Sequence, residues 1–393
     1  MLSLVPTPLA NAFVPKEALS ELQPIYPLDL YFCEDCTHAQ LLDVVDPSVL
    51  YRNYVYVSGT SEVFVKHFRK YAEYVTTSFG IKTGSLVVEI GSNDGTLLQS
   101  FKDIGMQVLG IDPAEQITQA ALASGVDSIV GFFTPELAHE IKMTRGLASV
   151  IAANNVIAHI DDLSAVMVGV RDLLANDGVF VFEVSYLVDV FEKNLFDTIY
   201  HEHLDYHSVK PLVGFFRSHG LELIEAIKVE SHGGSLRGVV QCLGGPRSVG
   251  ASVSEAVFYE HSLGLDRAEK LSEFSLHIDN IKNEMNDLLS DLKQQGKRIA
   301  AFGAPAKATT LMYHFGLQSD IIEFIVDDSP LKQGLYSPGM HIPVVTSSEI
   351  YVRKPDYLII LAWNFSKSIV EKHASFSKQG GRFIVPLPRL EVI

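Results

Sequence analysis

Glu89, Gly91, Asn93, Asp94 and Gly95 fall together in the stretch VVEIGSNDGTLL, Val87–Leu98. The apolar residues before Gly91, interrupted by one acid, read as a buried parallel strand, and the glycines let the chain turn tightly into a helix. A strand, a glycine loop and a helix bring a ligand against bare backbone at the end of a sheet. A second strand, Gln107–Ile111, ends in Asp112. That acid lies about twenty positions beyond Gly91, where a nucleotide-binding unit places its ribose-binding carboxylate. The pattern marks a site for an adenosine-containing cofactor. A dinucleotide would need G-x-G-x-x-G to seat its pyrophosphate on the helix N-terminus. Here Asn93 stands at the second glycine position, and Glu89 and Asp94 would repel phosphate but suit a cationic amino acid. S-adenosylmethionine has a sulfonium, an ammonium group and no phosphate, so the loop favours this methyl donor over NAD. The competing reading is a glycine turn with acids on a solvated helix start, which leaves Asp112 unexplained.

A second cluster, FDTIYHEH at Phe196–His203, lies after a later strand, with Tyr206 and His207 just beyond. Histidines move protons near neutral pH, and a carboxylate such as Glu202 orients them. Methylating oxygen or nitrogen needs little more than positioning. Methylating carbon requires removal of a proton beside a carbonyl and stabilisation of an enolate oxygen, which a histidine base with tyrosine or histidine donors can supply. Two other readings remain open for these residues: a His-x-His metal pair on an extended segment, and a satisfied polar network in a loop. Asn154, Asn155 and His159 follow the strand Ser149–Ala153 at the same rim. The asparagines are candidates to contact the donor, and His159 to reach the substrate.

The elements that must position these groups form an alternating pattern. Strands at Leu86–Ile90, Gln107–Ile111, Ser149–Ala153 and Val179–Val184 are separated by helical segments, notably Asp161–Leu174, whose end is marked by Asn176-Asp-Gly178. Such alternation predicts a parallel sheet covered by helices on both faces, with later strands near Leu221–Glu230 and Leu236–Cys242 closing it. Beyond it, Leu271, Phe274, Ile278, Ile281, Met285, Leu288 and Leu292 make a helix stripe that packs a core and ends at Gly296. Arg298–Phe302 runs into Gly303-Ala-Pro-Ala-Lys307, and further strands follow at Glu323–Val326 and Tyr357–Leu361. This is a second, smaller α/β unit whose loop carries alanines where a dinucleotide loop has glycines.

At 393 residues the chain has room for two or three domains, and 47% hydrophobic with 20% charged residues describes a soluble globular protein. A net charge of −16 argues against nucleic acid or a membrane surface as partner. No apolar run reaches the length of a membrane span, and three cysteines cannot build a disulfide framework, so a cytoplasmic location is expected.

Taken in order, PLANAFV, YRNYVYVSGTS, EIGSNDGTLL, ANNVIAHI, FDTIYHEH, HGGSLR and GAPAKATTL resemble the three-domain sugar C-methyltransferases, over nearly the whole chain. The type that comes nearest is the C-3′-methyltransferase of tetronitrose biosynthesis. The resemblance implies S-adenosylmethionine, a nucleotide-linked 4-keto-deoxysugar as substrate, and methyl transfer to C3. It implies His203 as the base that removes the C3 proton, with Tyr200, Glu202, Tyr54 and His159 as its partners. It also makes Arg237 and Lys307 candidate phosphate contacts. Three units are expected: a small N-terminal domain of degenerate zinc-binding type (1–57), a class I methyltransferase Rossmann-like domain (58–240), and a C-terminal α/β Rossmann-like domain that helps bind the nucleotide-sugar (241–393).

One departure bears on metal. Family members carry a CxxC before the PLAN motif that joins a second CxxC around zinc, whereas this chain has only Cys33 and Cys36 in its N-terminal segment. Two thiolates fall short of the four ligands of a structural zinc site, with His38 and His67 as candidate substitutes. Purified protein is expected to carry well under one zinc per chain, and the segment to lean on Leu9, Phe13, Ile25, Leu28 and Leu30 packed against the methyltransferase domain. The expected protein is a sugar C-methyltransferase, monomeric by preference. Its rivals are an NAD-dependent sugar-nucleotide oxidoreductase built on the C-terminal loop and Asp327, and a catalytically silent nucleotide-sugar-binding protein.

Overall fold

The computed structural model describes residues 1–51 and 62–393, and three sheets organise them. Leu86–Ile90 is buried along its whole length, as a strand covered by helices on both sides must be. It pairs in parallel with Gln107–Asp112 on one side and Ala148–Asn154 on the other. From edge to edge the central sheet runs Leu221–Val229, Ser235–Cys242, Leu174–Ser185, Ala148–Asn154, Leu86–Ile90, Gln107–Asp112 and Ser128–Val130. Ser235–Cys242 runs antiparallel to both of its neighbours. This is the class I methyltransferase sheet, α/β in class as the alternation predicts.

One face of that sheet packs Ile90, Ile111, Phe180, Phe182, Met167 and Leu212. The other packs Val87, Leu98, Phe101, Val181 and Tyr71, the last from the helix Glu62–Ser78. The helix expected at Asp161–Leu174 spans Leu163–Leu173, because Asp162 is its cap and accepts the Ala165 N–H at 2.9 Å. Asn176-Asp-Gly178 does not end it. The strand already starts at Leu174, and its ladder with Ala148–Asn154 slips between Ala148 and Val150, so these residues form an irregularity within the strand.

The C-terminal sheet is parallel through Val344–Val345, Ile325–Val326, Ile299–Phe302, Tyr357–Ile360 and Arg382–Val385, with Glu391–Val392 antiparallel at its edge. The long helix Glu269–Gln294 buries Leu271, Phe274, Ile278, Ile281, Met285, Leu289 and Leu292. Leu288, expected on the stripe, is only half-buried, since Leu289 takes the inward place. Ala251–Ser262 lies beyond the expected boundary at 240, yet its Val253 packs into the core of the central sheet.

The N-terminal segment forms an antiparallel sheet of Leu2–Thr7, Tyr26–Phe32 and Ala39–Leu41. Its fourth strand, Asp205–Tyr206, comes from the loop that carries the histidine cluster. Leu28 and Leu30 are buried, and Leu9 and Phe13 are half-buried. Ile25 is 58% exposed, so it takes no part in the expected packing. None of the described helices is long and apolar enough to cross a membrane.

Candidate active site

The donor loop leaves the strand Leu86–Ile90 through Gly91, whose φ of 68° suits glycine and where any Cβ would overlap Val156. Its N–H and that of Ser92 both donate to the Ile111 carbonyl, at 2.7 and 3.1 Å. Asp112 then holds the loop from the side: one carboxylate oxygen accepts the Asn93 N–H and the other the Ala114 N–H, each at 2.9 Å. Asp94 accepts from the Thr96 hydroxyl at 2.7 Å, and Gly95, with φ 76°, opens the helix Thr96–Asp103. The loop therefore presents Glu89, Asp94 and Asp112 around bare backbone.

Its electrostatics ask for a cation. Burial, and then the charges of Asp112 and Asp94, push the Glu89 carboxyl well above the ordinary carboxylate range. Burial also raises Asp112, against the two N–H groups it accepts. Asn154 lies beside the Glu89 carboxyl and the Tyr71 hydroxyl and favours the charged form of each. Its own buried Oδ1 and Nδ2, like Glu89 Oε2 and Ser92 Oγ, complete no hydrogen bond of normal geometry. Buried polar atoms left in this condition are costly unless a ligand meets them. Asn155 follows in a left-handed turn (φ 55°) pinned by its N–H to the Glu183 carbonyl at 2.7 Å. These residues fit S-adenosylmethionine: acids for ammonium and sulfonium, and Asp112 at the ribose position.

The loop that carries the histidine cluster, residues 196–207, termed the base loop for the role expected of His203, abuts the glycine loop, termed the donor loop, through the segment Val156–His159. Val156 packs on Gly91, the Leu204 N–H donates to the Ala158 carbonyl at 2.7 Å, and the His159 and His203 ring centroids lie 5.0 Å apart. His203 Nδ1 faces the Thr198 carbonyl at 2.8 Å, so the proton resides on Nδ1 and Nε2 keeps its lone pair. The Tyr200 hydroxyl meets that Nε2 at 3.0 Å. Burial, reinforced by the His203 imidazole, drives the His159 pKa well below 6.5 and holds its ring neutral at pH 7. Glu202 is buried and accepts the Asn11 amide at 2.8 Å. The structure thus brings His203, Tyr200 and His159 together, while Glu202, on the same loop as His203, is turned to Asn11. Tyr54 lies outside the described residues.

His201 faces the other way. Its Nε2–H donates to the Pro27 carbonyl at 3.0 Å and its ring lies against Tyr26, so it fastens the N-terminal sheet. Arg237 and Lys307, expected at phosphates, are both committed to carboxylates of this chain. Arg237 lies buried against Glu183, with its guanidinium over the Tyr71 ring. Lys307 pairs with the fully buried Asp197 at 3.3 Å and lies over Trp363, whose indole N–H also donates to Asp197. Each cation thus already has a buried acid of this chain as partner, and its remaining N–H groups are what could meet a phosphate. Glu183, which takes His67 as well as Arg237, was legible as an acid inside an apolar strand. Asn11 carried no such signal.

Cys33 and Cys36 sit exposed in one turn. The candidate substitutes are engaged elsewhere: His38 with Asp205 and His67 with Glu183, each at 2.7 Å. Among the described residues no three His, Cys, Asp or Glu side chains are arranged to hold a metal, so they do not fit a four-ligand zinc site. In the C-terminal unit the two oxygens of Asp327 accept the Ala304 and Ser329 N–H groups, at 2.6 and 2.8 Å, and anchor their loop as Asp112 anchors its own.

Comparison with known proteins identifies the family. Residues 1–51 match the family model described as "Putative zinc binding domain", residues 64–226 that of "Methyltransferase domain", and residues 230–388 that of "C-methyltransferase C-terminal domain". The chain is 36% identical over 387 residues to C-methyltransferase NovU of Streptomyces niveus, covering 98% of this chain and 92% of that protein. Among solved structures it is similar to magnesium protoporphyrin IX methyltransferase of Synechocystis PCC 6803 with bound S-adenosylmethionine (14% identity, 50% of this chain and 98% of that one, TM-score 0.36). It is also similar to 1,6-didemethyltoxoflavin-N1-methyltransferase of Burkholderia thailandensis (15% identity, 55% and 99%, TM-score 0.38). The chain belongs to the C-methyltransferase family and is a class I S-adenosylmethionine-dependent C-methyltransferase.

Proposed function

We propose that the enzyme methylates C3 of a nucleotide-linked 4-keto-deoxysugar, with His203 as the base. The observation that carries this reading is the His203 imidazole, fixed through Nδ1 and basic at Nε2, on a loop that abuts the donor loop. A carbon acceptor needs such a base, whereas oxygen or nitrogen acceptors do not. The sugar, its nucleotide linkage and the C3 position rest on the ordered motifs from PLANAFV to GAPAKATTL. We place the reaction in the cytoplasm and take the working unit as a monomer.

In this mechanism His203 Nε2 removes the C3 proton, and the C–H electrons move into the C3–C4 bond as the ketone becomes an enolate. The Tyr200 hydroxyl now donates to Nε2; it must turn from that lone pair before proton removal, which frees it for the enolate oxygen. His159, neutral and in ring contact with His203, is placed to assist there. Glu89, Asn93, Asp94, Gly95, Asn154 and Asn155 would hold the donor's amino acid end and Asp112 its ribose. When bound, S-adenosylmethionine supplies the electrophilic methyl group that the enolate carbon takes, the S–CH3 electron pair remaining with sulfur.

The test is incubation with labelled donor and a panel of nucleotide-linked 4-keto-sugars, with proton exchange at C3 followed in deuterated water without donor. Label in the sugar carbon skeleton together with exchange at C3 is expected. Transfer to a hydroxyl, or methylation with no exchange at that carbon, overturns the reading.

A further inference from the structure

We propose that Asn11 is a positioning residue of the reaction, its side-chain amide fixing the carboxylate of Glu202, the residue before His203, from across the domain junction. Asn11 Nδ2 lies 2.8 Å from Glu202 Oε1. Its segment is tied down from several sides. The Thr309 hydroxyl donates to the Ala10 carbonyl at 3.1 Å, Gln23 Nε2 to the Ala12 carbonyl at 2.7 Å, and Val14 exchanges backbone hydrogen bonds with Tyr336. Thr310 meanwhile donates to the Ile199 carbonyl at 2.8 Å, one residue before Tyr200. The helix Lys307–Phe315 therefore holds the Asn11 segment and the base loop through adjacent threonines, which fixes the distance that the Asn11 amide spans.

The two partners are unequal. Asn11 is exposed, while Glu202 is 5% exposed. A carboxylate taken out of water needs donors to stay ionised. Burial raises the Glu202 pKa and the Asn11 amide opposes that rise. An aspartate at 11 would set a second negative charge against the carboxylate, and an alanine would remove the donor. Asparagine favours the charged form of Glu202 and holds it in place one residue from the base.

The assignment rests on the proposed catalytic reading only in its kinetic arm, and the test separates the two. Full-length protein with 13C-labelled glutamate carboxyls is titrated by NMR, and Glu202→Gln identifies the resonance. Asn11→Ala should raise the Glu202 midpoint and Asn11→Asp should raise it further; an unmoved midpoint in both overturns the inference. Kinetics then compare Asn11→Ala in the natural and Glu202→Gln backgrounds. In the natural chain kcat should fall about three- to tenfold, the scale of one ordinary net hydrogen bond, with donor affinity by calorimetry unchanged. In the Glu202→Gln background the same substitution should cost nothing further, because the carboxylate it serves is gone. An equal loss in both backgrounds would place the action of Asn11 elsewhere and overturn the assignment. If Glu202→Gln keeps full activity, the catalytic reading of Glu202 fails, and the titration alone decides whether Asn11 governs that carboxylate. Because Asn11 is exposed, its variants should fold; if Asn11→Ala does not, Asn11→Asp keeps the shape and carries the titration.

Discussion

Asp112 anchors its loop and, in the proposed reading, holds the donor's ribose as well. Both of its oxygens accept backbone N–H groups, from Asn93 and Ala114, and a carboxylate oxygen has a second lone pair to offer a ribose hydroxyl. Asp112→Ala should weaken donor binding by about 1.5–3 kcal/mol, the scale of hydrogen bonds to a charged group. Asp112→Asn should fall between, because its amide can accept through one atom only. Calorimetry that finds Asp112→Ala as tight as the natural chain would remove Asp112 from the donor site. The two histidines of the HEH motif give the sharper contrast. His203→Asn should abolish C3 exchange and methylation. His201→Asn should leave exchange within about threefold and instead loosen the Tyr26–Phe32 strand, since His201 Nε2 bonds the Pro27 carbonyl at an ordinary net worth of about 1 kcal/mol. Exchange that survives in His203→Asn but fails in His201→Asn would reverse the roles.

The base loop is also an element in its own right: it carries the cluster, then pairs as a strand with Ala39–Leu41, then bridges from His207 to Tyr186. His207 lies at this joint, buried, with neither ring nitrogen completing a hydrogen bond of normal geometry, and with its ring 5.5 Å from that of His38. Burial, aided by His38 and opposed by Asp205, depresses its pKa from 6.5 to about 4. A histidine depressed on folding takes up its proton more readily when unfolded. Its contribution is present above pH 6.5, is lost as pH falls from 6.5 to about 4, and is level below that. The steepest slope for one such group is about 1.4 kcal/mol per pH unit. Denaturant unfolding of the natural chain and of His207→Phe should therefore diverge across this window in favour of the variant; parallel curves would show that His207 does not titrate on unfolding. At this scale the sequence was legible wherever periodicity ruled. The parallel strands and the Glu269–Gln294 helix were readable because apolar spacing reports burial. The strand Asp205–Tyr206 was not, because two residues have no period and their partner strand lies far away in sequence. The acid partners of Arg237 and Lys307 were illegible for a related reason. A basic residue in a glycine- or alanine-rich motif looks available to phosphate until the buried acids beside it, Glu183 and Asp197, are seen.

In the whole molecule the cores do not follow the order of the domains. Leu28, Leu30 and Leu41 of the N-terminal sheet, Leu187, Phe196 and Ile199 around the base loop, and Phe274, Leu311 and Phe315 of the C-terminal unit form one continuous apolar cluster. Phe196 stacks on Phe315 at 5.4 Å, and the Val5 N–H donates to His314 Nδ1 at 3.3 Å. The central sheet has separate clusters on its two faces. The N-terminal sheet is small, and small sheets bury too little surface to stand alone; it borrows its fourth strand from the base loop and its core from the C-terminal unit. The two flanking units should consequently open together, although the whole methyltransferase domain lies between them in sequence. Native-state hydrogen exchange measures this through the opening free energy of each amide. Amides of Leu2–Thr7 and Tyr26–Phe32 should share one opening free energy with those of Lys307–Phe315. They should also respond alike to Leu30→Ala, a buried substitution worth about 2–5 kcal/mol, while Leu86–Ile90 keeps its own value. If Leu30→Ala lowers protection in the N-terminal strands and leaves Lys307–Phe315 untouched, the shared cluster is a contact between independent units, and the base loop is clamped by two domains that move separately.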